Sequence, residues 1–378
     1  MRPAVLGSCM VALIACGGSQ ELCTSVRDSA GIALIDNPGP DVPLGWDMEL
    51  VATVQNSGDL VLNELFEYTV DADSLGHIVV NNNWFGQRVQ EIDTTGRLIR
   101  VLTREGAGPG EVGAGVSISS SGDGIVSVMD FTKAGLVRVR SDGSVLPVLT
   151  LTHQSLFGGG RADGDTVVVH TLLQQSGTEW PEQLERVTPT GSTTLLVHSP
   201  PRLGTLLFCG QPMEGLNPML TPDLRWNAKA GRTVVNNTGD YTIRVYDGER
   251  LTRLVRRNVD PLPGNETAVR RFFPDGKRVA DWKCIVPPDE LVRKRGVART
   301  VQPIRRLSVD YQGRIWAERN TYPDEQSRVD LFDSTGKYLG TLNGFGAPLG
   351  FPARDLLVFA LPDSVQSEPR LAIYRRKQ

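Results

Sequence analysis

The chain has 378 residues, a formal net charge of −3 and a pI near 5.9. That length exceeds one ordinary domain, although repeat architectures and large all-β folds reach it as a single unit, and the near balance of charge excludes a nucleic-acid binder and a strongly basic membrane-surface protein. Its 40 Gly and 24 Pro are spread along the chain, and its apolar segments are short, rich in Val, Leu and Ile, and bounded by Asp-Gly, Thr-Gly and Ser-Gly turns, so an all-β repeat fold is expected and long helices are not.

Met1-Arg2 opens an apolar stretch from Ala4 to Ile14, about 11 residues, against the roughly 20 that a bilayer span requires. It ends in Leu13-Ile14-Ala15-Cys16, which resembles the lipobox read by bacterial lipoprotein processing enzymes. The resemblance implies that residues 1–15 are a signal peptide and that Cys16 becomes the lipidated first residue of a mature chain of about 363 residues. Several acyl chains, at about 0.8 kcal/mol per buried methylene, would then hold the protein on its membrane. An ordinary secretory signal cut nearby is the alternative. Residues 16–28 read as a flexible tether and leader, beginning Gly17-Gly18-Ser19-Gln20. Without the Asp that in some bacteria retains lipoproteins at the inner membrane, the expected location is the cell envelope, at the outer rather than the inner membrane.

From residue 29 to 378 one unit recurs: an apolar strand, a Gly turn, a strand ending in a polar residue, a loop, a strand of the type x-V-x-x-x-D, a Thr-Gly or Asp-Gly turn, and a last apolar strand. The clearest copy spans 68–103, with Asp73-Ser74-Leu75-Gly76, His77 to Asn81, Arg88 to Asp93 and Thr95-Gly96. Further copies lie at 116–151, 163–198, 230–256 and 307–342, and an incomplete one has middle strands Leu356 to Ala360 and Arg370 to Tyr374. Repeated four-stranded units of this length predict a six-bladed β-propeller. An N-terminal strand, taken as Gly31 to Asp36, is expected to complete the last blade and close the ring, leaving no blade flank exposed. Two separate sandwiches are the alternative, but they do not account for the recurring order of turns.

The spacing breaks at 199–223 and at 258–301. The first break is proline-rich and reads as an extended loop. The second carries Thr267 to Phe273 and Asp289 to Gly296 at helical spacing, with Pro287-Pro288 opening the latter, so a helical insertion is expected between blades four and five. From Arg250 to Arg306 there are 15 Lys or Arg against 6 Asp or Glu, a local +9 that leaves −12 for the remainder. Arg270, Arg271, Arg293, Lys294 and Arg295 are the candidate partner-binding patch, with a surface salt-bridged to its own acidic neighbours as the other reading. Of the five cysteines, Cys9 leaves with the signal and Cys16 is taken by lipid, so one disulfide at most remains. Cys209 with Cys284 is the chosen pair, since both lie outside the repeats and would clip the insertions together, leaving Cys23 over.

At Arg104-Glu105-Gly106-Ala107-Gly108-Pro109-Gly110-Glu111-Val112 the chain resembles the loop that follows the first blade in six-bladed β-propeller lipoproteins of bacteria, distant relatives of NHL-repeat propellers. Val26 to Ile32 and Thr242 to Gly248 are similar to that group's leader and fourth-blade strand. The resemblance implies the fold and the anchoring rather than an activity. Physically, Gly106, Gly108 and Gly110 open backbone angles closed to other residues and Pro109 stiffens the turn, so Gly106, Gly108, Pro109, Gly110 and Glu111 read as a blade crossing. A phosphate cradle is excluded because no Lys-Ser/Thr and no helix follows.

Asn81, Asp130, His170, Asn236 and Glu318 close the second strand of blades one to five, and rotation about the ring axis should bring them to one rim. Their oxygen donors suit Ca²⁺ or Mg²⁺ at the channel mouth, while Asn and Asp also favour such positions for turn hydrogen bonds alone. No G-x-S-x-G, H-E-x-x-H, paired C-x-x-C or Walker loop is present, and His77, His153, His170 and His198 are too scattered for a zinc or copper site. Trp84-Phe85, Trp180 and Trp226 could line a sugar or peptide groove. The expected function is therefore a non-catalytic binding or scaffold module for an envelope protein or glycan, with a divalent-metal-dependent hydrolase, lactonase or lyase at the channel mouth as the alternative.

Overall fold

The computed structural model describes residues 24–62, 65–81, 88–113, 115–151, 159–163, 165–172, 181–279, 284–361 and 368–377. The leader 1–15, Cys16, the tether as far as Cys23, and Trp84, Phe85, His153 and Trp180 lie outside them. The chain is a six-bladed β-propeller. Blades 1 to 5 run through 70–101, 115–150, 160–198, 225–257 and 304–343, each with four antiparallel strands ordered from the axis outward, and blade 6 begins at Gly350. No described helix is long and apolar enough to cross a membrane.

The recurring Asp-x-Thr-Gly turn has a local cause. In blade 1, Asp93 Oδ1 accepts from Thr95 N at 2.8 Å, Thr95 Oγ1 at 2.6 Å and Arg97 N at 3.0 Å. In blade 5, Asp333 Oδ1 takes the same set from Thr335 and Lys337 at 2.8, 2.6 and 3.0 Å. One carboxylate thus satisfies the donors of a tight turn. Gly336 follows with φ +94°, and a Cβ there would lie 2.5 Å from Val255 of blade 4, so glycine is required both for the angle and for the approach of neighbouring blades.

Val, Ile and Leu on both faces of each sheet fill the seams between blades. Closure is seen where Val70, Ile78, Val80 and Ile92 of blade 1 pack with Val358, Leu371 and Ile373 of blade 6.

The closing strand differs from the expectation. It is β3 (Asp47–Val54), paired antiparallel with Leu371–Lys377 from Asp47↔Lys377 to Val54↔Leu371, rather than Gly31 to Asp36. β2 (Ile32–Asn37) instead adds to blade 4, parallel to Arg250–Arg257, and β1 (Ser25–Ser29) folds back on β2. Between β2 and β3 the chain follows the rim of blade 5, where Leu44 N donates to Thr341 O at 2.9 Å and Thr341 N to Val42 O at 2.8 Å. A single N-terminal strap therefore covers the outer edges of three consecutive blades. Asn37, 2% exposed, stitches two of them: its amide donates to Arg256 O and Gly336 O, and its oxygen accepts from Tyr338 N at 2.9 Å.

The two insertions pack on each other as one cap. The first contains a hairpin, Leu206–Phe208 with Gln211–Met213, where an extended loop was expected. The second contains α1 (Glu266–Phe272), a hairpin Lys277–Arg278 with Ile285–Val286, and α2 (Pro288–Arg295). Asn265 caps α1 by accepting from Ala268 N, and Pro288 opens α2, where its missing N–H has no intrahelical partner to lose. Phe208, Met219, Val269, Val286 and Leu291 form the cap's own core. Cys209 and Cys284 are disulfide-bonded across it, 75 residues apart in sequence.

Candidate functional site

Antiparallel alternation puts all connections between blades, and all loops joining second to third strands, on one face of the ring. Both insertions are such connections, so the cap stands on that face. The channel beneath is closed low down. Lys229 Nζ, from the innermost strand of blade 4, donates to Asp71 Oδ1 of blade 1 at 2.6 Å, and Tyr311 donates to Ala72 O at 2.7 Å. Burial lowers the Lys229 pKa against the pull of Asp71. Only about 10 Å³ of space remains around this pair.

Above it the mouth opens to about 160 Å³, edged by Glu67, Arg161, His170, Arg225, Arg305 and Arg306. Burial alone would raise the Glu67 carboxyl, but the charges of Arg306, Arg161 and Arg225 outweigh it and hold Glu67 below the usual carboxylate range.

The larger space lies beside the mouth, between cap and ring, with a volume of about 380 Å³. Asp223 and Arg225 border both spaces. Four cations face it, Arg202, Arg225, Lys277 and Arg295, against two carboxylates, Glu182 and Asp223. Glu182 is 3.4 Å from both Arg202 Nη2 and His170 Nε2. Burial pushes its pKa up, but His170, His198 and Arg202 bring it below its ordinary value. Asp223 pairs with Arg225 at 3.3 Å. Lys277 and Arg295 are left: among the described residues neither forms an ion pair, and Arg295 donates only to Asn217 O, at 2.7 Å. Desolvation lowers the pKa of both, and for Lys277 the nearby charge of Arg295 adds to it. Lys277 is exposed at the lip, with its Nζ 5.3 Å from the centre of the Phe273 ring. Phe272, Phe273 and Met219 supply an apolar wall.

The rim residues named from the sequence spend their polar atoms locally. Asp130 accepts from Gly113 N, Thr132 N and Thr132 Oγ1. Asn236 donates to Asp240 O and Thr242 O and accepts from Gln302. Glu318 accepts from Ala347 N and pairs with Arg305. Asn81, 5% exposed, continues the ladder to Thr69 O. His170 stands by Glu182 at the mouth. Among the described residues no three His, Cys, Asp or Glu side chains are grouped so as to hold a metal ion. A Ca²⁺ or Mg²⁺ site on this rim therefore finds no support in the donor geometry of the described residues, where Asp130 and Asn236 serve local turns and Glu318 serves Ala347 N and Arg305.

The basic patch is divided in the same way. Arg270 pairs with Glu266 and Asp289, Arg271 with Asp324 and Glu325 while stacking on Tyr322, and Lys294 with Glu290. Arg293 is exposed, and only Arg295 turns into the cavity. The glycine loop closes on itself: Glu111 folds under it to accept from Gly108 N at 2.8 Å, and Lys133 donates to Gly108 O and Glu111 O. A Cβ on Gly106 would overlap the Glu111 carboxylate. Sequence reasoning missed Arg202 and Lys277, in the two insertions, and Arg225, at the start of the innermost strand of blade 4; of these only Lys277 lies in a stretch where bases outnumber acids.

No family model matches the chain, and no curated protein matches it. Among solved structures, a protein of Bacteroides fragilis NCTC 9343 classed as exported superposes with a TM-score of 0.52 at 9% identity, covering 91% of this chain and 100% of that one. A member of the DUF4221 family from Bacteroides vulgatus gives 0.47 at 12% identity, over 87% and 98%. The calcium-binding protein regucalcin from Agrobacterium tumefaciens gives 0.41 at 13%, over 84% and 93%. The first of these likenesses shows a shared fold.

Proposed function

We propose that this chain is an exported cell-envelope protein, held at its membrane by lipid on Cys16, whose propeller is a non-catalytic binding module that receives its ligand on the capped face. The observation that carries the reading is the cavity of about 380 Å³ between cap and ring, a size within the range of small-molecule sites. Among the described residues its polar groups converge without a nucleophile and base in hydrogen-bond reach of each other. Export is supported by the leader, by the Cys209–Cys284 disulfide, which suits an oxidising compartment, and by the export assigned to the Bacteroides fragilis protein of the same fold. The outer membrane is the expected site, and a small envelope glycan is the partner we favour over a protein because the space is of small-molecule size.

The test is ligand-observed NMR of the full chain against neutral and acidic envelope saccharides. A bound saccharide recovered chemically unchanged, and lost from the Phe273→Asp variant, is the expected result. Conversion of the saccharide into product, or binding indifferent to Phe273, would overturn the reading.

A further inference from the structure

The charges around the cap cavity do not balance, and the imbalance resides in two identified side chains. Glu182 is engaged by Arg202 and Asp223 by Arg225, at 3.4 and 3.3 Å. That leaves Lys277 and Arg295 facing the same space without an ion-pair partner of their own among the described residues. The two cations repel each other; the charge of Asp223 and the Phe273 ring, 5.3 Å from Lys277 Nζ, offset part of that repulsion, and an incoming anion would offset the rest. The cap is stapled by Cys209–Cys284 and Arg295 is fixed through Asn217 O, so the two cannot simply swing away together. Arg295 still has guanidinium N–H groups to offer, in the planar fork that matches a carboxylate or phosphate.

A second feature narrows the ligand: Phe272 and Phe273 border the same space, so an organic skeleton is accommodated beside the anionic group.

We infer that the cap cavity binds a small organic oxyanion, a sugar phosphate or a uronate, with Lys277 and Arg295 holding the anionic group and Phe272 and Phe273 beside the carbon skeleton. This rests on the capped face being the binding surface and adds the chemistry of what it takes.

Lys277 is the residue to change, because its side chain makes no hydrogen bond or ion pair among the described residues, whereas loss of Arg295 would also release Asn217. The full chain is titrated by calorimetry with glucose 6-phosphate, glucuronate, inorganic phosphate and neutral glucose. Glucose 6-phosphate or glucuronate should bind about tenfold or more tightly than glucose, should weaken with added salt, and should lose about tenfold in affinity with Lys277→Met. The unfolding temperature of ligand-free Lys277→Met should equal or exceed that of the parent. Equal affinity for glucose and glucuronate, or a Lys277→Met variant that binds unchanged, overturns this inference and leaves the capped face as a binding surface. Inorganic phosphate binding as tightly as glucose 6-phosphate removes the carbon skeleton from the recognition and overturns the organic part of the inference. If no saccharide, charged or neutral, binds at the cap, both readings fall.

Discussion

Two clusters of cations in this molecule are built on opposite principles. At the seam of blades 4 and 5, Arg257 and Arg319 are 5% and 7% exposed, and each is met by a carboxylate. Arg319 makes paired bonds to Asp41 and to Asp330 at 2.6 to 3.0 Å, and Arg257 reaches Asp41 at 2.6 Å while lying 3.6 Å over the Tyr338 ring. Tyr241 and Thr341 add hydrogen bonds to Asp330 at 2.7 Å. The two buried guanidiniums are answered by two carboxylates, with only the exposed Arg328 added, 3.7 Å from Asp41, which is what burial demands. At the cap cavity four cations meet two carboxylates, and the uncancelled pair faces space large enough for a molecule. The first arrangement locks the strap to the ring. The second is left incomplete by the protein itself, and an incomplete set of charges on a rigid frame is a binding site rather than a joint.

The sharpest way to break the comparison is to unbalance the seam. Asp330→Ala leaves Arg319 and Arg257 buried with one carboxylate between them, and should cost about 3–5 kcal/mol in denaturant unfolding; a loss below about 1 kcal/mol would mean that the seam is not electrostatically closed. Removing the staple comes next. Cys209→Ala with Cys284→Ala should release about 2–4 kcal/mol of cap stability, seen as faster amide exchange in α2 with the blade cores unchanged. Asn37→Ala strands the Tyr338 N–H and two carbonyls where the strap crosses from blade 4 to blade 5, and should lower the unfolding free energy by about 1–3 kcal/mol.

What the sequence revealed follows the range of the forces involved. The blades were legible because each turn is decided within five residues, as Asp93-Thr94-Thr95-Gly96-Arg97 shows. The closing strand was not. Ile32-Ala33-Leu34-Ile35 is an unbroken apolar run and invites burial in a blade, whereas β3 carries Asp47 and Glu49, whose charges are answered by Lys377 at 3.9 and 3.5 Å. A partner more than 300 residues away made that choice. Of the rim residues, Asp130 and Asn236 commit their side chains to local turns, a demand set within a few residues, while Glu318 serves Ala347 N, 29 residues away. The basic island was visible as a local +9, yet its pairing was not, since Arg271 meets Asp324 and Arg202 meets Glu182 only after the insertions fold onto the ring.

The smallest effect sharpens the contrast most, because it has the opposite sign to the others. Lys277 has its folded pKa held below the ordinary 10.5 by desolvation and by Arg295. Between those two values the unfolded chain binds more protons than the folded one, so stability rises with pH through that window. Below it Lys277 is charged in both states and the full penalty of holding it beside Arg295 is present. Lys277→Met should therefore flatten the rise in unfolding temperature just below pH 10.5 and leave the neutral-pH protein no less stable. Asp330→Ala, by contrast, should weaken the protein at neutral pH. A Lys277→Met protein that unfolds at lower temperature at neutral pH would place this lysine with the structural cations of the seam and return the cavity to ordinary packing.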